Sequence, residues 1–345
     1  FEMIVETKVN IDWDSLGFDV IETRSMFHAT CPIDGKWSHG SLVPYGPIQL
    51  SPAAGVLNYG QGVFEGTKAY HTAKGNIVLF RTEMNAKRMA FSTKRICIPI
   101  MNEDFFMDAV IKTVKDNLDF VPPYGKGNLY IRPIVWGTAP ALGVKPASDY
   151  TFMVFVSPVG PYFKGGIKPL HLKVTTDYHR AAPKGIGNAK AIGNYSASLY
   201  PLMEAKNAGF DEVVYLDTKE EKHVEEVGSA NLFIYKDGMI KTPSLSGSIL
   251  DGVTRNSVCQ IASKLLNIPV EETDIDIDDV LMADEVFCTG TAVAVTPVGE
   301  ITYQDELFQI NHGQMGPVTD KIRQTMSAIQ QEEIDDPFGW LIPVN

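Results

Sequence analysis

The sequence predicts an α+β fold, and three observations lead there. Strand-like and helix-like patterns mix along the chain without the regular alternation of a doubly wound sheet. Lys236-Asp237-Gly238 between two β-forming runs is a hairpin turn signal. Arg255–Leu266 places Val258, Ile261, Ala262, Leu265 and Leu266 on one helical face. A length of 345 residues predicts two domains, with a core large enough to need no disulfide staples.

The elements follow in order. Asn76–Phe80 reads as a short apolar strand and Thr82–Ser92 as a polar-faced helix. Phe106, Ala109, Val110 and Val114 recur at helical spacing within Phe105–Leu118. Asn128–Gly137 is rich in β-formers, and Tyr150–Ser157 reads as a buried strand. The Pro- and Gly-dense stretch Ser157–Pro169 is the best boundary, which divides the chain into 1–159, a linker 160–168, and 169–345. Beyond it lie strand Leu170–Thr175, helix Leu199–Ala208 stopped by Gly209, and strand Glu212–Leu216. Asn231–Tyr235 and Met239–Lys241 flank the hairpin turn, Glu285–Cys288 is a strand, and Pro317–Gln330 is the last helix.

Composition excludes several classes. Hydrophobic content of 44% and charged content of 21% are those of a soluble globular protein. A net charge of −12 argues against nucleic acid or anionic membrane as partner. The four cysteines, Cys31, Cys97, Cys259 and Cys288, lack metal or framework spacing, which predicts a reducing compartment. No apolar run reaches membrane-spanning length, and no signal-peptide pattern is present. The chain opens on Phe1 rather than Met, which fits either a removed targeting segment or simple trimming.

Lys190 stands out, because it lies between glycine-bearing turns just before a helical pattern. Glu225-Glu226 enters a tight Gly228-Ser229 turn further on. If the fold joins them, an amine and a carboxylate share one cleft. That pairing suits pyridoxal phosphate, which needs a Schiff-base lysine and an acid that keeps its ring nitrogen protonated. Gly252-Val253-Thr254-Arg255 opens a helix; its free amides suit a phosphate, or Asp251 or Thr254 simply caps the helix. Thr289-Gly290-Thr291-Ala292 follows a strand, and is either an anion cup or a plain turn. Arg88 lies in a helical stretch where a solvated arginine is the ordinary reading. Arg132 sits in an apolar strand beside Tyr130, so it belongs to a buried ion pair or faces a ligand carboxylate; both stay open. Tyr59, Phe64, Tyr130 and Tyr162 read as core aromatics.

Three lures are declined. Gly185-Ile186-Gly187-Asn188-Ala189-Lys190 lacks Walker spacing and the following Ser or Thr. Asp274-Asp276-Asp278 has Asp279 where a calcium loop needs glycine. The seven histidines show no zinc pairing, so no metal is expected.

Taken together, the motifs resemble the branched-chain amino acid aminotransferases of the pyridoxal phosphate fold type IV group. The likeness rests on Asn58–Gly66, Leu129–Pro133, Lys190 with Gly193-Asn194-Tyr195, Glu226–Phe233, Gly252–Arg255 and Gly290-Thr291-Ala292, in the family's order over nearly the whole chain. The wording of several segments is most like the plant members. The resemblance implies a small α+β N-terminal domain, a larger C-terminal domain with a β-barrel-like core, and the cofactor between them. It implies Lys190 as the lysine that carries the cofactor and moves the proton at the substrate Cα. Glu226 would meet the ring nitrogen, Tyr195 the phenolic oxygen, and Leu250 the ring face. Arg88, the amides of Val253 and Thr254, and Thr291 would hold the phosphate. The amides of Thr291 and Ala292, with Tyr59, would hold the substrate α-carboxylate. Phe64, Tyr130 and Tyr162 would wall the side-chain pocket, and Arg132 would receive the distal carboxylate of glutamate. A homodimer is implied, with Leu142 and Val144 reaching into the partner's pocket, and a plastid, a mitochondrion or the cytoplasm as location.

The implied reaction passes the amino group of leucine, isoleucine or valine to 2-oxoglutarate. A D-amino acid aminotransferase, an aminodeoxychorismate lyase and a non-catalytic cofactor binder are the alternatives. Three positions depart from the family's pattern. Asp251 stands where proline is frequent and brings negative charge to the phosphate turn unless it faces solvent. Val293 and Thr296 replace the Cys-x-x-Cys of the mammalian members. Ile192 replaces a common glycine and could trim space beside Lys190.

Overall fold

The computed structural model describes residues 11–32, 34–160 and 167–344. The first half forms β1 (Ser25–Cys31), β2 (Ser41–Pro44), β3 (Gly62–Phe64), β4 (Thr67–His71), β5 (Ile77–Phe80), β6 (Asn128–Gly137) and β7 (Tyr150–Val159), with helices α1 (Gly55–Tyr59), α2 (Thr82–Arg95) and α3 (Glu103–Asp116). The strands pair in the order β5-β4-β6-β7-β1-β2, with β3 on β6. Helix α3 starts two residues before the predicted Phe105, because the Asn102 side chain accepts from the Phe105 N–H at 2.7 Å and caps the first turn. Its buried face, Phe106, Ala109, Val110 and Val114, packs on the sheet with Phe27 and Phe152.

The second half holds β8 (Leu170–Thr175), α4 (Gly193–Ser196), α5 (Leu199–Asn207), β9 (Glu212–Leu216), β10 (Val224–Val227), β11 (Ala230–Lys236), β12 (Met239–Pro243) and α6 (Val253–Gln260). Then come β13 (Val270–Thr273), α7 (Ile277–Leu281), β14 (Glu285–Gly290), β15 (Ala294–Tyr303), β16 (Glu306–Gln309), α8 (Pro317–Gln330) and β17 (Leu341–Pro343). The order β10-β9-β8-β15-β14-β11 closes because β10 also pairs β11. This ring is the expected β-barrel-like core, filled by residues such as Leu172, Val214, Leu232 and Val298.

The predicted helix at Arg255–Leu266 is α6, begun two residues earlier and finished by a wider π turn over Ile261–Leu265. Strand β15 went unread because Pro297 and Gly299 interrupt its pattern. A register shift between Val298 and Glu300 absorbs the irregularity where β15 meets β8. The last strand crosses the expected boundary: β17 pairs with β5 of the first sheet, and Trp340 packs with Phe80 and Ile322. Most of the predicted linker lies outside the described residues.

Candidate active site

The segment carrying Lys190 is tied to both halves of the molecule. Its backbone N–H donates to Ser92 Oγ of α2 at 2.9 Å, and its carbonyl accepts from the Phe64 N–H at 3.2 Å. Asn194 braces the turn by donating to the carbonyls of Ile186 and Ala189 at 2.8 and 2.9 Å. Lys190 Nζ then donates to the Tyr195 hydroxyl at 2.9 Å and lies 4.7 Å from the Phe64 ring centroid. The Phe64 and Tyr195 rings meet edge-on with centroids 4.7 Å apart. Ile192 lies against Gly62, where a Cβ would stand 2.2 Å from the Ile192 Cδ1, so the glycine in β3 makes room for the isoleucine in the lysine segment.

Two buried carboxylates act electrostatically on Lys190. Glu226, on β10, is 2% exposed. Its Oε2 forms an ion pair with Arg180 Nη1 at 2.7 Å, and its Oε1 accepts from Asn231 Nδ2 at 3.0 Å. Burial pushes its carboxyl up to about 7, and Arg180 offsets only part of that. Glu65 is fully buried and takes two parallel bonds from Arg88, Nε to Oε1 and Nη2 to Oε2, each 2.7 Å, with Asn85 Nδ2 on Oε2 at 2.8 Å. Burial pushes the Glu65 carboxyl up as well, but here the bidentate arginine wins and holds it below the usual carboxylate range.

Helix α6 begins at Gly252, and no side chain caps it. A Cβ on Gly252 would lie 2.1 Å from Asn231 Oδ1, so only glycine fits beside the residue that braces Glu226. Val253 and Thr254 share a cavity of about 180 Å³ with Thr291, Lys68 and Asn85. Arg88, Asp251 and Gly252 border a second cavity of about 300 Å³, which Val253 also lines. The Asp251 side chain faces solvent, while its carbonyl accepts from Arg88 Nη1 at 2.8 Å. The charge that departs from the family pattern is solvated, yet it still acts on the Arg88 and Arg81 guanidinium groups. Leu250 is buried, and its carbonyl accepts from Asn231 Nδ2 at 3.0 Å.

On β6, the Arg132 guanidinium lies 4.8 Å from the Phe64 ring centroid and 5.2 Å from that of Tyr130, and Nη2 donates to the Tyr130 hydroxyl at 3.1 Å. Among the described residues no carboxylate pairs with Arg132, and its buried Nε has no partner. Of the two readings left open by the sequence, the buried ion pair is absent. Lys68, on β4 opposite Tyr130, is 8% exposed and among the described residues reaches only the Ala292 carbonyl, at 3.4 Å. Burial lowers its pKa to about 8.

At the rim, the Tyr59 hydroxyl donates to the Leu142 carbonyl. Leu142 and Val144 are 91% and 86% exposed, so neither lines this chain's own site. Tyr162 lies outside the described residues. At the positions of the mammalian thiol pair, Thr296 Oγ1 donates to the Val293 carbonyl at 2.6 Å and closes the turn. Among the described residues no cluster of three or more His, Cys, Asp or Glu could hold a metal, and no helix is long and apolar enough to cross a membrane.

Sequence reasoning missed Arg180, Lys68 and the roles of Glu65 and Asn231. Arg180 lies in a polar loop after β8 and carries no signal. Glu65 and Lys68 were legible in principle, because each is a charge inside an apolar run, the argument that singled out Arg132.

Comparison with known proteins places this arrangement. The family model "Amino-transferase class IV" matches residues 62–301. "Branched-chain amino acid aminotransferase 2, chloroplastic" of Humulus lupulus is 47% identical over 336 residues, covering 97% of this chain and 82% of the relative. "Branched-chain-amino-acid aminotransferase 1, mitochondrial" of Arabidopsis thaliana is 43% identical and covers 98% of this chain and 88% of the relative. The crystal structure of the Escherichia coli branched-chain amino acid aminotransferase superposes with a TM-score of 0.82 at 30% identity, covering 94% of this chain and all of that one (100%). The T.th. branched-chain amino acid aminotransferase complexed with N-(5'-phosphopyridoxyl)-L-glutamate superposes with a TM-score of 0.79 at 33% identity, covering 94% of this chain and 100% of its own.

Proposed function

The chain belongs to the branched-chain amino acid aminotransferases of class IV, and from that premise we propose that it moves the amino group between leucine, isoleucine or valine and 2-oxoglutarate, using pyridoxal 5'-phosphate. The observation that carries the reading is the Lys190 amine on the Tyr195 hydroxyl at 2.9 Å, with the buried Glu226 carboxylate acting on the same amine. The residues present fit the cofactor: an amine beside a phenol, a buried carboxylate, and an uncapped helix start next to Thr291.

Bound there, the cofactor supplies a sink for the electron pair released at the substrate Cα. Lys190 would hold it and would carry the proton at the substrate Cα. Glu226 would meet the ring nitrogen, Tyr195 the phenolic oxygen and Leu250 the ring. The amides of Val253 and Thr254, the Thr291 side chain and Arg88, whose guanidinium is fixed by Glu65, would hold the phosphate end. Thr291 and Ala292 amides, with Tyr59, would take the α-carboxylate.

Phe64 and Tyr130 form an apolar wall that accepts a branched side chain. Arg132 lets the same wall accept a dicarboxylate, and its lack of a protein carboxylate partner among the described residues supports this. The exposure of Leu142 and Val144 supports a homodimer in which they complete the partner's site. The domain division is 1–159 and 169–345, with the cofactor between and the last strand of the second part, β17, returning to the first sheet. The names of the plant relatives support a plastid or a mitochondrion as location.

The test is turnover on a panel of 2-oxo acids and L-amino acids, with D-alanine and aminodeoxychorismate as controls. Lys190→Ala is expected to lower multiple-turnover activity about 10⁴-fold or more. Retained turnover in that variant, or a preference for either control substrate, defeats the reading.

A further inference from the structure

We propose that Arg180 is a positioning residue for the reaction: it holds Glu226 as an oriented anion, so that the ring nitrogen it faces stays protonated. The inference rests on the role proposed for Glu226 and concerns a residue in the loop between β8 and α4 that no sequence motif marks.

Glu226 sits on β10 with its side chain 2% exposed, and a carboxyl so placed is driven toward its neutral form. A neutral acid there could donate to an unprotonated ring nitrogen, but it could not stabilise a protonated one. Something must therefore hold the negative charge in place. The Arg180 side chain is itself only 6% exposed, and its Nη1 lies 2.7 Å from Glu226 Oε2. The pair is shielded from water, where its attraction is strongest.

The arginine is fixed in turn. Its Nη1 also donates to the Ser248 carbonyl at 3.1 Å, while the Ser248 hydroxyl donates to the neighbouring Glu225 carboxylate. Asn231 holds the other oxygen of Glu226 at 3.0 Å and ties it to the Leu250 carbonyl. The charged groups acting on Glu226 are Arg180, Glu225 and Lys190. Glu225 opposes ionisation, and Lys190 is the reacting amine, whose charge changes during turnover. Arg180 is the remaining cation among them and the only one with a permanent charge.

The experiment compares the holoenzyme with Arg180→Met, Arg180→Lys, Glu226→Gln and the Arg180→Met/Glu226→Gln double variant. The direct readout is the ¹⁵N chemical shift of cofactor labelled at the ring nitrogen. Arg180→Met is expected to move that shift toward the unprotonated value. It is also expected to lower kcat about 10²-fold while KM for leucine changes less than about threefold. Arg180→Lys restores at least part of both. If Arg180 acts through Glu226, Arg180→Met has almost no further effect on kcat in the Glu226→Gln background.

An unchanged ¹⁵N shift and kcat in a folded, cofactor-loaded Arg180→Met protein overturns the proposal. So does additivity with Glu226→Gln, or a loss of kcat that merely tracks a loss of folded protein. If Arg180→Met does not fold, Arg180→Lys decides: a shift and kcat equal to wild type in both the native and the Glu226→Gln background would count against an ion-pair role. The reading of the site itself fails differently, by wild-type protein that binds no cofactor or by Lys190→Ala that turns over.

Discussion

Two glutamate–arginine pairs act on Lys190, and they behave differently. Glu65 and Arg88 meet through two parallel bonds of 2.7 Å, with Asn85 added, and the carboxyl is held below its ordinary range. Glu226 and Arg180 meet through one contact of 2.7 Å, and burial carries that carboxyl up to about 7. Both acids are buried; the number and geometry of donors separate them. The first pair is a locked strut, which fixes the cation at the start of α6. The second leaves its acid titrating near neutral pH in the empty site, so that Arg180 and a protonated ligand base together hold it as the anion. Their pH signs are opposite. The depressed Glu65 contributes stability above its ordinary pKa, lost as pH falls through its folded value. The raised Glu226 contributes stability at low pH, lost as pH rises from its ordinary 4.5 through about 7.

The largest expected break in this contrast is Glu226→Gln. It should lower kcat about 10²–10³-fold, because an amide cannot supply the negative charge the ring nitrogen requires. Steady-state kinetics on leucine with 2-oxoglutarate checks it. Glu65→Gln should act on folding instead. It leaves the Arg88 cation buried beside an amide, a loss of about 3 kcal/mol in urea unfolding of the cofactor-free protein. If Glu65→Gln proved stable and Glu226→Gln fully active, the division into strut and proton partner would collapse.

Two cations without a carboxylate partner among the described residues, Arg132 and Lys68, sharpen the comparison from the other side. Arg132→Met should raise KM for 2-oxoglutarate about 10–100-fold, the worth of a charge-assisted hydrogen bond, and leave leucine within a few-fold. A parallel rise for leucine would contradict a role confined to the distal carboxylate.

Lys68→Met is the mildest change, and its sign is reversed. Removing a buried, unpaired ammonium should stabilise the empty protein by roughly 1–3 kcal/mol near pH 7. The Lys68 pKa is lowered from 10.5 to about 8, so the unfolded chain binds more protons between those values and wild-type stability from this group rises with pH there. The gap between variant and wild type should close toward pH 10, as thermal melts across pH 7–10 would reveal. A gap that widens with pH would mean that Lys68 has a partner in the folded state.

Much of the site was legible in sequence because its parts are local. The Gly-rich setting of Lys190, the Glu226 turn and the start of α6 are each set by a few contiguous residues, and their backbone chemistry carries the signal. The α+β class and most element positions were legible for the same reason: β6, β8, β9 and α8 run over the predicted spans, set by side-chain periodicity. Strand β15 was hidden, because Pro297 and Gly299 are tolerated there only through a register shift with β8.

What the tertiary structure alone decided is which charges are paired. Arg132 is marked in sequence by its apolar strand and Arg180 by nothing, and for neither does the neighbouring sequence name a partner. Folding sets one between two aromatic rings without a carboxylate among the described residues, and the other against Glu226. The neighbouring strands β9 and β11 bury Glu226 on β10, and the loop after β8 brings Arg180 to it from a distant stretch of the sequence. A residue's chemistry is written in its own side chain. Its charge state depends on desolvation and on partners brought from elsewhere in the chain, and those exist only after folding.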